Sequence, residues 1–437
     1  MQDFGTLTRV AMRGNARPSA ADARRRATRQ GKDAPKPSFA ARAVPLVSVP
    51  RNHRMRPHPS DGGTTMKISV ERNALLKATS RAQGVVERRT TIPILSNVMI
   101  EAEGAGATLR ATDLDIEILE TVPAMVERAG ATTVPAHTLH EIVRKLPDGA
   151  SVLLDHDTSA GRLTVSAGRS RFTLPTLPRE DFPIMASSEY EASYTAPAPL
   201  LRRLFEKASF AISTEETRYY LNGIYLHGVK DGGEARLRAV ATDGHRLACI
   251  DAPAPAGAEG SPDVIVPRKT VPELRRMLES DEAEIAVSVS PTKIRFVAGD
   301  LSLTSKVIDG TFPDYTRVIP QGNDRRMEVD AEDFARTVDR VATVSAERSR
   351  PVKLALDQDR LVLSVNSPDS GSATDELTVA YDAAPLEIGF NAKYLLEIAG
   401  QIDRENAVFL FADSGAPTLV REGDDASAIY VVMPMRV

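Results

Sequence analysis

Ala241-Thr242-Asp243-Gly244-His245-Arg246-Leu247 opens with a triplet the chain has already used at Ala111-Thr112-Asp113, a shift of 130 positions. Phe312-Pro313 repeats Phe182-Pro183 at the same shift. Val134-Pro135-Ala136 opens a helical pattern, and Val266-Pro267-Arg268 opens another at a shift of 132. Phe390-Asn391-Ala392-Lys393 opens a third such pattern, about 124 positions after Pro267. Three like units of about 120 residues read as a scaffold that repeats a surface, rather than as a catalyst built round a single pocket.

Working outward, each unit has the same order of patterns. In the first, Lys67–Val70 alternates as a strand and Glu71–Gln83 has helical spacing, with Leu75, Leu76 and Thr79 inward and Lys77 and Arg81 outward. Strand patterns follow at Ile94–Glu101, Ala107–Thr112 and Ile116–Val122. A helix over His137–Leu146 turns Leu139, Ile142, Val143 and Leu146 to one face and Arg144 and Lys145 to the other. Strands at Ser151–Asp155, Gly161–Ser166 and Ser170–Leu174 complete it. In the second unit the helices are Leu200–Ile212, exposing Arg202, Arg203 and Lys207, and Lys269–Leu278, exposing Arg275 and Arg276. In the third they are Ala331–Val344, exposing Arg336 and Arg340, and Ala392–Ile402, which offers only Lys393. Short connections make the sheets mostly antiparallel. The expected fold is therefore α+β: two helices on about eight strands, three times over, with domains at 66–185, 194–314 and 315–437.

Charge divides the chain differently. Residues 1–65 hold thirteen basic side chains against four Asp and no Glu, a net of +9; with −4 overall, residues 66–437 carry −13. Against that acidity, basic polar faces on five of six helices suggest one shared basic lining. The leading segment has seven prolines, Arg24-Arg25-Arg26 and no sustained apolar period, the composition of a basic disordered extension. Three readings fit it: a nucleic-acid arm, an organelle transit peptide, or an upstream start ahead of the start-like Met66-Lys67-Ile68-Ser69-Val70. The last is the expectation taken forward. A single cysteine, Cys249, excludes an internal disulfide framework and a Cys-based metal cluster, and suits a reducing cytoplasm. No apolar run is long enough to cross a membrane, and tryptophan is absent.

Three local sequences are specific: Arg218-Tyr219-Tyr220-Leu221-Asn222-Gly223, the run Thr242–Leu247, and the end Tyr430-Val431-Val432-Met433-Pro434-Met435-Arg436-Val437. With Phe312-Pro313-Asp314-Tyr315 and the Met66 start, they resemble the bacterial DNA polymerase III beta subunit family, the replicative sliding clamps, over about residues 66–437. The family lacks the long leading arm. The resemblance implies three clamp domains per copy, two copies head to tail in a homodimer ring, and sequence-independent sliding on double-stranded DNA. It implies docking of the DNA polymerase III catalytic subunit, the clamp loader, other polymerases and repair proteins, and neither catalysis nor cofactor nor metal.

By the same resemblance, Arg89, Arg169, Arg171, Tyr219, Tyr220, Arg268 and Lys269 match positions that touch DNA, and His137 stands where some relatives carry Arg. A partner-peptide pocket, which takes a short extended peptide with one Gln and a terminal apolar pair, matches Leu221, Thr242, Gly244, His245, Arg246, Leu247, Pro313, Arg317, Val318, Val431, Met433, Pro434, Met435 and Arg436. Met433 and Met435 offer an adaptable apolar surface, Gly244 a close backbone approach, and His245 and Arg246 donors for peptide carbonyls. Phe172, Leu174 and Val344 match the dimer joint, while Thr343 sits where an apolar residue is expected. Two rivals remain. Asp243, His245 and Arg246 suggest acid–base chemistry, yet Arg246 falls on the opposite face of an extended segment and no nucleophile accompanies them. A peptide-binding adaptor keeps the pocket but has no use for basic helix faces.

Overall fold

The computed structural model describes residues 66–437, apart from Arg89, Ser187, 346–350, Asp369 and Val437. The readings made for residues 1–65 and for Arg89 therefore lie outside the described residues.

Six α-helices are present among the described residues: α1 (Arg72–Val85), α2 (Ala136–Lys145), α3 (Ala198–Ser209), α4 (Thr270–Met277), α5 (Ala331–Ala342) and α6 (Ala392–Ala399). Their starts are set locally. Pro135 and Pro197 stand at the N-caps of α2 and α3, where no N–H is needed. The Asp330 carboxylate accepts from Asp333 N at 2.7 Å to cap α5, and Asn391 accepts from Lys393 N at 2.9 Å to cap α6. Helices pack in pairs, α1 on α2, α3 on α4 and α5 on α6. Each pair buries an apolar stripe, such as Leu201, Leu204, Phe205 and Ala208 of α3, on its sheets. Each fully buried Leu or Phe contributes about 2 kcal/mol to holding the layers together.

The strands differ from expectation in three informative places. Gly130–Pro135, Ala192–Pro197 and Val264–Pro267 are strands that the sequence pattern does not announce. Residues Pro93–Ser96 form a 3-10 turn instead of the start of a strand, which begins at Asn97; Pro93 has no N–H to give a ladder. The strand beginning at Ile116 continues to Arg128 and, within the first unit, pairs with Gly106–Thr112 through its first half and with Lys67–Glu71 through its second.

Sheets run through the boundaries between repeats. Ile116–Arg128 of the first unit pairs antiparallel with Leu301–Lys306 of the second, joining them in one 12-stranded sheet. Arg246–Pro253 of the second pairs with Asp425–Val432 of the third, in a nine-stranded sheet. The two joints are the same joint: Lys306 N donates to Asp115 O at 2.8 Å, and Met433 N to His245 O at 2.8 Å. Among the described residues, the strands that end their sheets with one edge unpaired include Ser170–Pro175 in the first unit and Gly371–Thr378 in the third.

Candidate functional site

The repeated Ala-Thr-Asp triplet builds a loop, not an acid–base centre. Asp243 Oδ1 accepts from His245 N at 2.9 Å and Arg246 N at 3.0 Å, while Thr242 Oγ1 donates to Arg246 O at 2.7 Å. In the first unit Asp113 Oδ1 accepts from Asp115 N and Ile116 N, and Thr112 Oγ1 donates to Ile116 O, at 2.8–2.9 Å. Both loops place one residue at positive φ, Leu114 at 81° and Gly244 at 90°. Each loop delivers the strand that makes the joint to the next unit.

Arg246 is only 7 % exposed and turns its guanidinium into its own chain. Its guanidinium lies over the rings of Phe210 at 5.0 Å and Tyr394 at 4.5 Å. Its donors are taken by Asp243 Oδ2 at 3.1 Å, Phe210 O at 2.6 Å and the Glu397 carboxylate. It ties the second unit to α6 of the third. His245 is exposed above it, its ring stacked on Tyr394 at 6.3 Å. At Gly244 a Cβ would lie 2.7 Å from Arg218 Nη1, so the close approach this glycine allows is to Arg218 of the same unit.

Around this loop the expected pocket residues do converge. Leu221, Leu247 and Val431 share a small apolar cluster with Val240, Cys249, Ile265, Phe312 and Tyr315. Burial pushes the Cys249 thiol up to about 12, so it stays an unreactive core group. Pro313, Arg317 and Val318 stand exposed at the rim, on the turn that follows Phe312. The chain end is held in place: Met433 N bonds to His245 O, and Met435 N donates to Gly389 O at 2.9 Å. Met433, Pro434 and Met435 are half-buried and Arg436 is exposed.

The basic surface is smaller than the helix pattern suggests. Lys207, expected outside, is 7 % exposed and pairs with Asp403 at 2.7 Å across the second joint, near the buried Glu422. Arg203 donates to Asp251 O and Ser427 Oγ, and Arg202 pairs with Asp281. Arg81 pairs with Glu120, Arg144 with Glu141, Arg276 with Glu273, Arg336 with Glu332 and Arg340 with Asp375, all within 2.8 Å. Lys269 is held by Glu87 at 3.0 Å and by Asp113 across the first joint; burial opposes its charge, but these two hydrogen bonds override that and raise its pKa. Among the described residues, Arg169, Arg171 and Arg268 are exposed and carry no ion pair. Tyr219 is 54 % exposed and Tyr220 half-buried beside it, their rings 5.8 Å apart. The His137 ring sits between Gln83 Oε1 at 3.2 Å and Val86 O at 3.3 Å. It lines a cavity of about 310 Å³ with Arg88 and Arg276.

At the free edge, Leu174 is 7 % exposed and Phe172 38 %. Val344 is half-buried against the main core, and Thr343 is exposed, its hydroxyl donating back to Asp339 O.

Three successive family profiles match the chain: the DNA polymerase III beta subunit N-terminal domain over residues 66–186, the central domain over 195–314 and the C-terminal domain over 316–436. The chain belongs to the DNA polymerase III beta subunit family. The beta sliding clamp of Caulobacter vibrioides is 55 % identical over 372 residues, 85 % of this chain and all of that one. That of Escherichia coli K12 is 38 % identical over 374 residues, with the same coverage of both chains. Among solved structures, the sliding clamp of Bartonella birtlesii bound to griselimycin superposes with a TM-score of 0.83 at 50 % identity. The DNA polymerase sliding clamp of Caulobacter crescentus does so with 0.80 at 54 %. Each structural match covers 85 % of this chain and 100 % of the other. The protein is thus a non-catalytic processivity clamp of DNA replication, a partner of DNA and polymerase, and the acid–base reading is set aside. No helix among the described residues is long and apolar enough to cross a membrane.

Proposed function

We propose that two copies of this chain close head to tail into a six-domain ring that encircles duplex DNA, with domains at 66–185, 194–314 and 315–437. The observation that carries the reading is the pair of unpaired strands. Gly371–Thr378 is the third unit's counterpart of Ile116–Arg128 and Arg246–Pro253, and Ser170–Pro175 is the first unit's counterpart of Leu301–Lys306 and Asp425–Val432. Hairpin register fixes the equivalence: Ala167 pairs with Ser170 around Gly168, as Ala298 pairs with Leu301 around Gly299. Phe172 therefore corresponds to Leu303, and through the matched joint bonds to Tyr430. Leu303 is 1 % and Tyr430 0 % exposed because their joints are made within the chain; Phe172 is 38 % exposed because its partner strand belongs to a second copy. A heterologous contact of this kind closes when the rotation per step fits, and it removes both open edges. Phe172, Leu174 and Val344 belong to that joint.

On this reading Arg169, Arg171, Arg268, Tyr219, Tyr220 and Lys269 meet phosphates without reading bases, and Arg89 joins them by resemblance. The surface formed by Leu221, Leu247, Pro313, Val318, Val431, Met433, Pro434 and Met435, rimmed by Thr242, Gly244, His245, Arg317 and Arg436 and floored by Arg246, takes an extended partner peptide. The polymerase catalytic subunit, the clamp loader, other polymerases and repair proteins share it. The protein works in the cytoplasm. The test is retention: clamps loaded on a nicked circular plasmid stay bound in high salt and run off within minutes of linearisation. Equal loss from circle and line refutes encirclement.

A further inference from the structure

Beneath the proposed peptide pocket lies a polar ladder that neither DNA contact nor peptide contact uses. His227, Arg238 and Asp251 sit side by side on three neighbouring strands, His227 opposite Arg238 and Arg238 opposite Asp251. Arg238 grips Asp251 with two bonds of 2.6 Å, Nε to Oδ1 and Nη2 to Oδ2. Its Nη1 also donates to Tyr315 Oη at 3.2 Å, and Tyr315 Oη lies 3.1 Å from His227 Nε2. Because the guanidinium can only donate, it takes an acceptor position of the hydroxyl and leaves the hydroxyl proton free for His227 Nε2, which accepts it in the neutral tautomer protonated at Nδ1. The His227 ring stacks on Tyr225 at 4.3 Å, and Tyr225 stacks on Phe312 at 5.0 Å and donates to Asp263 Oδ2 at 2.9 Å. The charged or titratable groups facing His227 are thus Arg238, Asp251, Asp263, Tyr225 and Tyr315, with Cys249 behind Arg238.

Tyr315 is 6 % exposed and opens the 3-10 turn Tyr315–Val318, whose Arg317 and Val318 form one pocket wall with Pro313. We propose that the His227–Tyr315 hydrogen bond, braced by Arg238 and Asp251, positions this wall for the partner peptide, and that protonation of His227 releases it. The inference rests on the pocket reading above. An imidazolium at His227 offers Tyr315 a second cationic donor in place of an acceptor and sets two cations against one hydroxyl. Burial already holds the His227 pKa below its usual value, so the neutral, wall-holding form prevails near neutrality and is lost as pH falls.

The experiment is fluorescence polarisation of a labelled extended peptide, with one Gln and a terminal apolar pair, on the full chain between about pH 4.5 and about pH 8, wide enough for a depressed imidazole to charge. The parent is expected to bind about fivefold more weakly at the acid end, the worth of one hydrogen bond. His227→Gln keeps an acceptor for Tyr315 without titrating, so it should bind like the parent at the alkaline end and show a flat profile. Tyr315→Phe should be flat at the weaker level. A flat parent profile, an unchanged slope in His227→Gln, or a slope abolished instead by His245→Gln overturns the proposal. Absence of binding by the parent at the alkaline end, or equal binding after removal of Met433–Val437, refutes the pocket itself.

Discussion

Phe172→Ala tests the joint between copies where the structure assigns it a magnitude. Phe172 is 38 % exposed, while its counterparts Leu303 and Tyr430 are buried to 1 % and 0 % by joints within the chain. Covering the remainder removes about 75 Å² of apolar surface, taking a Phe side chain as about 200 Å², and at about 25 cal/mol per Å² stabilises each joint by about 2 kcal/mol. A ring has two such joints, so truncating both weakens the dimer by about 4 kcal/mol, roughly a thousandfold in dissociation constant. Sedimentation velocity over a dilution series of a chain starting at Met66 reads this directly, and retention on a nicked circle reads its consequence. Leu303→Ala is the control, because the same position inside the chain should lower thermal stability without changing the dimer's dissociation constant. A Phe172→Ala protein whose dissociation constant moves less than about threefold, against the two kcal/mol per joint expected from burial, would refute the equivalence of the three joints.

Other consequences follow from the same geometry. Removing Met433–Val437 should abolish peptide binding in polarisation assays and leave the sedimenting dimer unchanged, since the tail is held by His245 and Gly389 and not by the free edges. Arg268→Ala should weaken DNA binding regardless of sequence and reduce the slope of log affinity against log salt by about 0.9, the signature of one lost phosphate contact, because this guanidinium has no carboxylate partner to leave behind. Lys207→Met should lower stability by about 3 kcal/mol in denaturant melts, since it strands the 5 % exposed Glu422 without its cation across the second joint. An unchanged midpoint would show that the buried pair contributes nothing net.

The repeat made most of the fold legible. Apolar periods in α2, α3 and α5 match the faces they bury, and the recurring Ala-Thr-Asp triplet marks loops whose hydrogen bonds are the same in two units. What sequence reasoning missed depends on partners far away in the chain. The charges of Arg81, Arg202 and Lys207 read as solvent-facing on a helical wheel, yet Glu120, Asp281 and Asp403 wait on other elements to neutralise them. Arg246 shows the same limit: alternation places it on one face of a strand, but only α6, about 150 residues on, supplies the Glu397 carboxylate that holds it. The His227 ladder had a faint signal, Tyr225 and His227 alternating on a strand beside Arg238, but nothing in the order of residues says that Tyr315 closes over it.

The charge pattern and the repeated joint lead to one mechanical account. A clamp that slides must hold DNA weakly, because each phosphate contact deepens the wells it has to leave. With most helix cations tied to carboxylates of the same chain, few remain free to grip, and retention falls to ring closure instead of affinity. The two joints within the chain and the proposed one between copies use one kind of strand pair, but the first two are tethered covalently and enjoy a high effective concentration that the third lacks. In the ring proposed above, the edge carrying Phe172 is therefore the joint expected to open first under load. On the proposed ring, a loading factor would have to break only one untethered strand pair, while the chain's internal joints stay closed.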